Sequence, residues 1–158
     1  MIETPSYPKI AGWLYLVGIG VVMNPLFLLV SVGGDLLPLF FSDTWTMLTT
    51  PDSAAYHPMW APLLIFELIG NVGLLLFSVV VAVLFFQKRK LLPKVIIAFM
   101  LSSLTFVVAD HFLANTIPFI ANAADSELTI AIIRSAVTCI IWIPYFLLSK
   151  RVKGTFVQ

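Results

Sequence analysis

Residues 61–86 read APLLIFELIGNVGLLLFSVVVAVLFF, an apolar run whose only charge is Glu67. A helix that crosses a hydrocarbon core about 30 Å thick needs about 20 predominantly apolar residues. This run exceeds that length. Backbone groups in lipid must be satisfied internally, and a continuous helix does so. Strands of a membrane barrel would be about 9–11 residues long with alternating polarity, a pattern absent from the run. The stretch therefore reads as a transmembrane helix, and three others qualify with it. They are residues 10–32, without a charge; 95–114, uncharged until Asp110 and His111; and 128–148, carrying only Arg134.

The composition agrees. Of the 158 residues, 60% are hydrophobic and 11% charged, where soluble domains average about 45–50% and about 25%. Lipid must solvate the excess. The expected fold class is all-α, a polytopic four-transmembrane-helix bundle forming one membrane domain over residues 1–158. The first span is longer than a signal-peptide core and lacks an A-x-A-like cleavage site, so it reads as an anchor that is retained.

Residues 33–60 form a long outer loop. Ser42 or Asp43 is placed to cap a short helix over residues 44–49, with Pro51 ending it. Leu36, Leu37, Leu39, Phe40, Trp45 and Leu48 make this segment too apolar for a free loop. It is expected to rest in the membrane interface or to fold as a lid over the outer end of the bundle.

Eight of the nine basic residues fall on one side of this topology: Lys9, the turn with Lys88, Arg89, Lys90 and Lys94, and the tail with Lys150, Arg151 and Lys153. The other side holds Asp35, Asp43, Asp52, Asp125 and Glu127. The positive-inside rule makes the basic side cytoplasmic, so both termini are expected inside, as in a bacterial inner (plasma) membrane protein. Trp13, Tyr15, Trp142 and Tyr145 are placed at the inner interface, and Trp45 and Trp60 at the outer one, as anchors. The basic turn and tail suit anionic headgroups and call for no nucleic-acid partner.

Counted along the helices, the intramembrane polar groups fall in one layer. At about 1.5 Å per residue, Glu67 and Arg134 each lie about 9 Å below the outer end, and Asp110 about 22 Å above the inner end. Asn24 reaches a similar level on the first helix, and Asn71 and His111 adjoin. Charges in a bilayer usually face the bundle interior and pair with one another. Arg134 is expected to form a buried ion pair with Glu67, Asp110 or both, a geometry that suits its fork of donors. The stripe of Glu67, Gly70, Asn71 and Ser78, together with Ser103, Thr138 and Gly20, marks inward faces that let helices approach. Such a layer is either a structural clasp or a site for a solute, ion or proton.

Catalysis is not expected. The sequence contains no G-x-S-x-G, Walker or dinucleotide-binding motif, and Gly18 and Gly20 read as packing residues within a helix. His57 and His111 with Glu67 and Asp110 offer metal-ligand types, but no zinc-binding spacing joins them and Arg134 would repel a cation. No metal, haem or other cofactor is expected. Cys139, the only cysteine, excludes an intrachain disulfide and reads as a small buried hydrophobe.

The stretches GWLYLVGIG, YHPMWAPLLIFELIGN, FFQKRKLLPK and IWIPYFLLSKRVKGTFV together resemble a bacterial inner-membrane family of unknown function, the YdgK-like proteins. The resemblance covers nearly the whole chain. It implies that Glu67, Asn71, Asp110, Arg134, Trp142, Pro144, Tyr145, Ser149, Arg151 and Val152 fall on positions of the family pattern. It also implies a four-helix membrane protein, and it supplies no activity. The expected function is non-enzymatic binding of a small ligand or partner through the polar layer. A solute or ion transporter acting as an oligomer, and an accessory subunit of another membrane protein, stay open. The expected partners are the lipid bilayer and either a membrane protein or a second copy.

Overall fold

Apolar residues follow one another in this chain without the polar interruptions that would end a helix, and the helices run accordingly. In the computed structural model the described residues are 12–122 and 126–157, with only the backbone described at 126–128. Of the described residues 83% are helical and none lies in a strand. The elements are α1 (Trp13–Val30), a π-helical segment (Ser31–Leu36), α2 (Leu37–Phe40), α3 (Asp43–Thr49), α4 (Trp60–Phe86), α5 (Leu92–Ala114), α6 (Pro118–Asn122), α7 (Ser126–Leu148) and α8 (Lys150–Thr155). Four of the helical stretches are long and apolar enough to span a membrane: Trp13–Phe40, Trp60–Phe86, Leu92–Ala114 and Thr129–Leu148. The architecture is that of a multi-pass membrane protein.

The first span is longer than its sequence indicated. Helix α1 does not end at residue 32 but continues through the π-helical segment and α2 to Phe40. Gly33 and Gly34 lie in that wider turn. A π turn carries i→i+5 hydrogen bonds and absorbs one extra residue without breaking the rod. The connecting loop is correspondingly shorter than 33–60. Helix α3 forms where the sequence placed a short helix, and Ser42 stands at its N-cap in an extended conformation. The Ser42 hydroxyl makes no capping bond; it donates instead to the carbonyl of Leu39 at 2.8 Å. Phe40 and Trp45 stack across the α2–α3 turn with centroids 4.7 Å apart.

Helix α4 ends in a two-bond C-terminal lock. The Lys88 N–H donates to Phe85 O (3.2 Å) and the Arg89 N–H to Leu84 O (3.1 Å). This is the Schellman arrangement, which asks for a left-handed residue just beyond the cap. Lys88 takes that conformation, with φ +52°, and the chain turns into α5.

Around the bundle α1 packs on α4, α4 on α5, and α5 on α7, whereas α1 and α7 scarcely touch. Antiparallel α5 and α7 are held in register where the Cys139 thiol meets Met100 O at 3.6 Å. Phe77 and Phe99 meet edge to face between α4 and α5 at 5.3 Å, and Gly18 on α1 lies against Phe85 on α4. The main core sits at the basic end. Leu14, Phe85, Leu92, Phe146, Val152 and Phe156 cluster there, which draws the 88–94 turn and the C-terminal segment to the same end of the molecule. Lys9 and Asp125 lie outside the described residues, as does the side chain of Glu127.

Candidate functional site

The four spanning helices do not close completely on one another, and a cavity of about 500 Å³ lies between them. Its polar lining is Asn24 from α1, Ser78 from α4, Ser103 from α5, and Arg134, Ser135 and Thr138 from α7. Among the described residues, Arg134 is the only charged one that lines it. The serine and threonine positions follow from helical spacing: Ser135 and Thr138 flank the turn that carries Arg134, on one side of α7.

Much of this polar lining is satisfied within its own helix. The Ser78 hydroxyl donates to Leu75 O at 2.7 Å, and the Thr138 hydroxyl to Arg134 O at 2.8 Å. Both hydroxyls keep lone pairs as acceptors. Gly20 leaves an open wall on α1, where an added Cβ would meet nothing within 4 Å. That glycine therefore serves the cavity's volume rather than helix packing. Gly18 does serve packing: an added Cβ would stand 3.3 Å from the Phe85 ring. Trp142, read from sequence as an interface anchor, lines the cavity and meets Tyr145 edge to face at 5.6 Å.

The expected clasp does not form. No buried ion pair is present among the described residues. Arg134 lines the cavity, while neither Glu67 nor Asp110 does. The α5–α7 register explains the separation. With Cys139 beside Met100, Arg134 faces the level of residue 105, and Asp110 lies about 7 Å nearer the loop end. Counting from assumed helix ends concealed this offset. Helix α5 starts at Leu92 rather than 95, which raises Asp110 to about 27 Å above its start, and α7 starts at Ser126 rather than 128, which sinks Arg134 to about 12 Å. The two errors push the groups in opposite directions.

Glu67 and Asp110 come together instead, between α4 and α5. Both are half-buried, and each lies within reach of the other's charge. Phe66 stacks on Phe106 one turn below Asp110, with centroids 5.1 Å apart, and the absence of a Cβ at Gly70 lets the Phe106 ring press against α4. The Oδ1 atom of Asp110 is buried without a hydrogen-bond partner. Asn71 turns back on its own helix, donating to the Glu67 carbonyl at 2.9 Å.

Neither histidine lines the cavity, and His111 lies within reach of the Asp110 charge. His111 lies within 3.2 Å of the Asn115 amide, and His57 accepts the Met59 N–H at 3.3 Å. Among the described residues no three His, Cys, Asp or Glu side chains converge. No residue of the 33–60 segment lines the cavity. The sequence did mark Asn24, Ser78, Ser103, Arg134 and Thr138 as inward-facing. Ser135 escaped it because it lies off the i, i+4 spacing that singled out Arg134 and Thr138; Trp142 lies on that spacing but had been read as an interface anchor.

Comparison with curated proteins and with solved structures gives no match. A family profile described as "Protein of unknown function (DUF2569)" does match, over residues 7–157. By that near-complete coverage, the chain belongs to the DUF2569 family.

Proposed function

We propose that the chain is a bacterial inner-membrane protein, with its basic end in the cytoplasm, that binds a small anionic molecule in the central cavity. The supporting observation is the lining itself: one guanidinium, an asparagine and several hydroxyls, with no carboxylate among the described residues. A charge held within a bilayer without a counter-charge is costly. An anion accepting from the guanidinium fork makes short, charge-assisted hydrogen bonds and relieves that cost. The volume, about 500 Å³, lies within the range of small-molecule sites, about 300–1,000 Å³.

Binding without chemistry is favoured by the same lining, which holds no histidine or acid among the described residues and whose single thiol, Cys139, is turned to Met100 O. The apolar seal of Leu14, Phe85, Val152 and Phe156 at the basic end favours a site over a path through the bundle. The orientation rests on the positive-inside rule. Placing the chain among YdgK-like proteins rests on the closing pattern from Trp142 to Val157.

The test is thermal unfolding of the purified protein in neutral detergent, with inorganic phosphate or dodecyl phosphate as probe. At about 100 times its Kd, an anionic probe should raise the midpoint by about 5–10 °C, and Arg134→Gln should abolish the rise. If neither probe stabilises the protein, or the glutamine variant responds equally, the anion reading fails.

A further inference from the structure

We infer that the occupant of the cavity is an amphiphile with an anionic phosphate headgroup, drawn sideways from the bilayer through the gap between α1 and α7. This rests on the anion reading above and adds the ligand's class and its route. Three of the four neighbouring helix pairs pack closely and the α1–α7 pair does not, while both of those helices line the cavity, so the lateral route runs between them. The basic end is shut by Phe85, Phe146, Val152 and Phe156, which leaves the side and the loop end as entrances.

The lining is divided to suit such a molecule. Leu16, Val17 and Val21 on α1, with Phe99 and Met100 on α5, supply apolar wall, whereas Arg134 and Ser135 supply the donors. Helical side chains lean toward the N-terminus of their own helix, which for Arg134 is the loop end. Long basic side chains reach in this way toward the headgroup level while their stems stay in apolar surroundings. A phosphate at the rim of the gap meets the guanidinium there, with its chains left along α1 and α7 in the lipid.

Charge complementarity argues against a second copy of this chain as the occupant. The acidic groups that a neighbouring copy carries within its spans, Glu67 on α4 and Asp110 on α5, lie within reach of each other's charge, and neither lines the cavity. They do not project as a counter-charge for Arg134. Basic pockets between membrane helices are, in general, where anionic headgroups lodge.

The experiment is native mass spectrometry of the full chain released from neutral detergent, with three probes: dioleoyl phosphatidylglycerol, dioleoyl phosphatidylcholine and glycerol 3-phosphate. The wild type should retain one phosphatidylglycerol, about tenfold more tightly than phosphatidylcholine. Glycerol 3-phosphate should bind far more weakly than either lipid. Arg134→Gln should erase the preference for the anionic lipid. Gly20→Leu should block the site by filling open space, and it keeps the claim testable if the arginine variant folds poorly. Equal binding of the two lipids, or a preference that survives in both variants, overturns the inference. A dimer that phosphatidylglycerol does not alter overturns it in favour of a second copy. If glycerol 3-phosphate binds as tightly as the lipid, lateral entry fails and the anion site stands. If no probe binds, both fail.

Discussion

At the scale of single residues, the molecule separates charges that its sequence offers as partners. Glu67 and Asp110 lie within reach of each other's charge, and one oxygen of Asp110 is buried without a hydrogen bond. A clasp would lose stability on losing either acid, because breaking a buried pair strands the other charge. The arrangement seen predicts the opposite. Asp110→Asn removes a repulsion and should stabilise the protein by about 1 kcal/mol, read as a higher thermal midpoint in neutral detergent. A fall of several degrees would mean that Asp110 holds a cation after all. The polarity of these positions was legible from their rarity in apolar runs. Their pairing was not, since depth counted from a helix end inherits every error in that end, and about two residues already move a group by 3 Å.

At the scale of elements, length and apolarity were enough to place all four spans, because a continuous apolar run has no other stable form in lipid. Boundaries were harder. Two adjacent glycines at 33 and 34 read as a helix stop, yet the backbone widens into a π turn there and runs on to Phe40. Ser42 had the right chemistry for a cap, but its hydroxyl found the Leu39 carbonyl first, the local competition that hydroxyl side chains bring to turns. The short C-terminal helix α8 went unforeseen, since its basic residues dominated the reading of the tail. Ser149 caps it, accepting the Val152 N–H at 3.4 Å, and this aims Val152 and Phe156 into the core with Phe85 and Leu92. Phe156 is 4% exposed. Phe156→Ala should therefore destabilise the protein by about 3–5 kcal/mol, measured by thermal unfolding, whereas Lys153→Ala on the exposed side should leave the midpoint unchanged. An unperturbed Phe156→Ala would show that the tail is not part of the seal.

At the scale of the whole molecule, three facts combine: one end is basic and apolar-sealed, α1 and α7 scarcely touch, and a guanidinium lines the cavity with no carboxylate among the described lining residues. The proposed orientation rests on the charges of the two ends. With Cys139 buried and silent to labelling, Asp52→Cys should react with a membrane-impermeant maleimide in intact cells. Lys90→Cys should react only after the membrane is broken. The reverse pattern would invert the topology.

The central claim is that Arg134 is held ready for an anion and does not lock the helices together. Thermal unfolding of wild type and Arg134→Gln in nanodiscs of phosphatidylcholine, with and without phosphatidylglycerol, tests it most directly. The account predicts equal midpoints in the neutral lipid and a gain from the anionic lipid in the wild type alone. A glutamine variant that is severely destabilised in both lipids would contradict it, by showing that the guanidinium holds the bundle together.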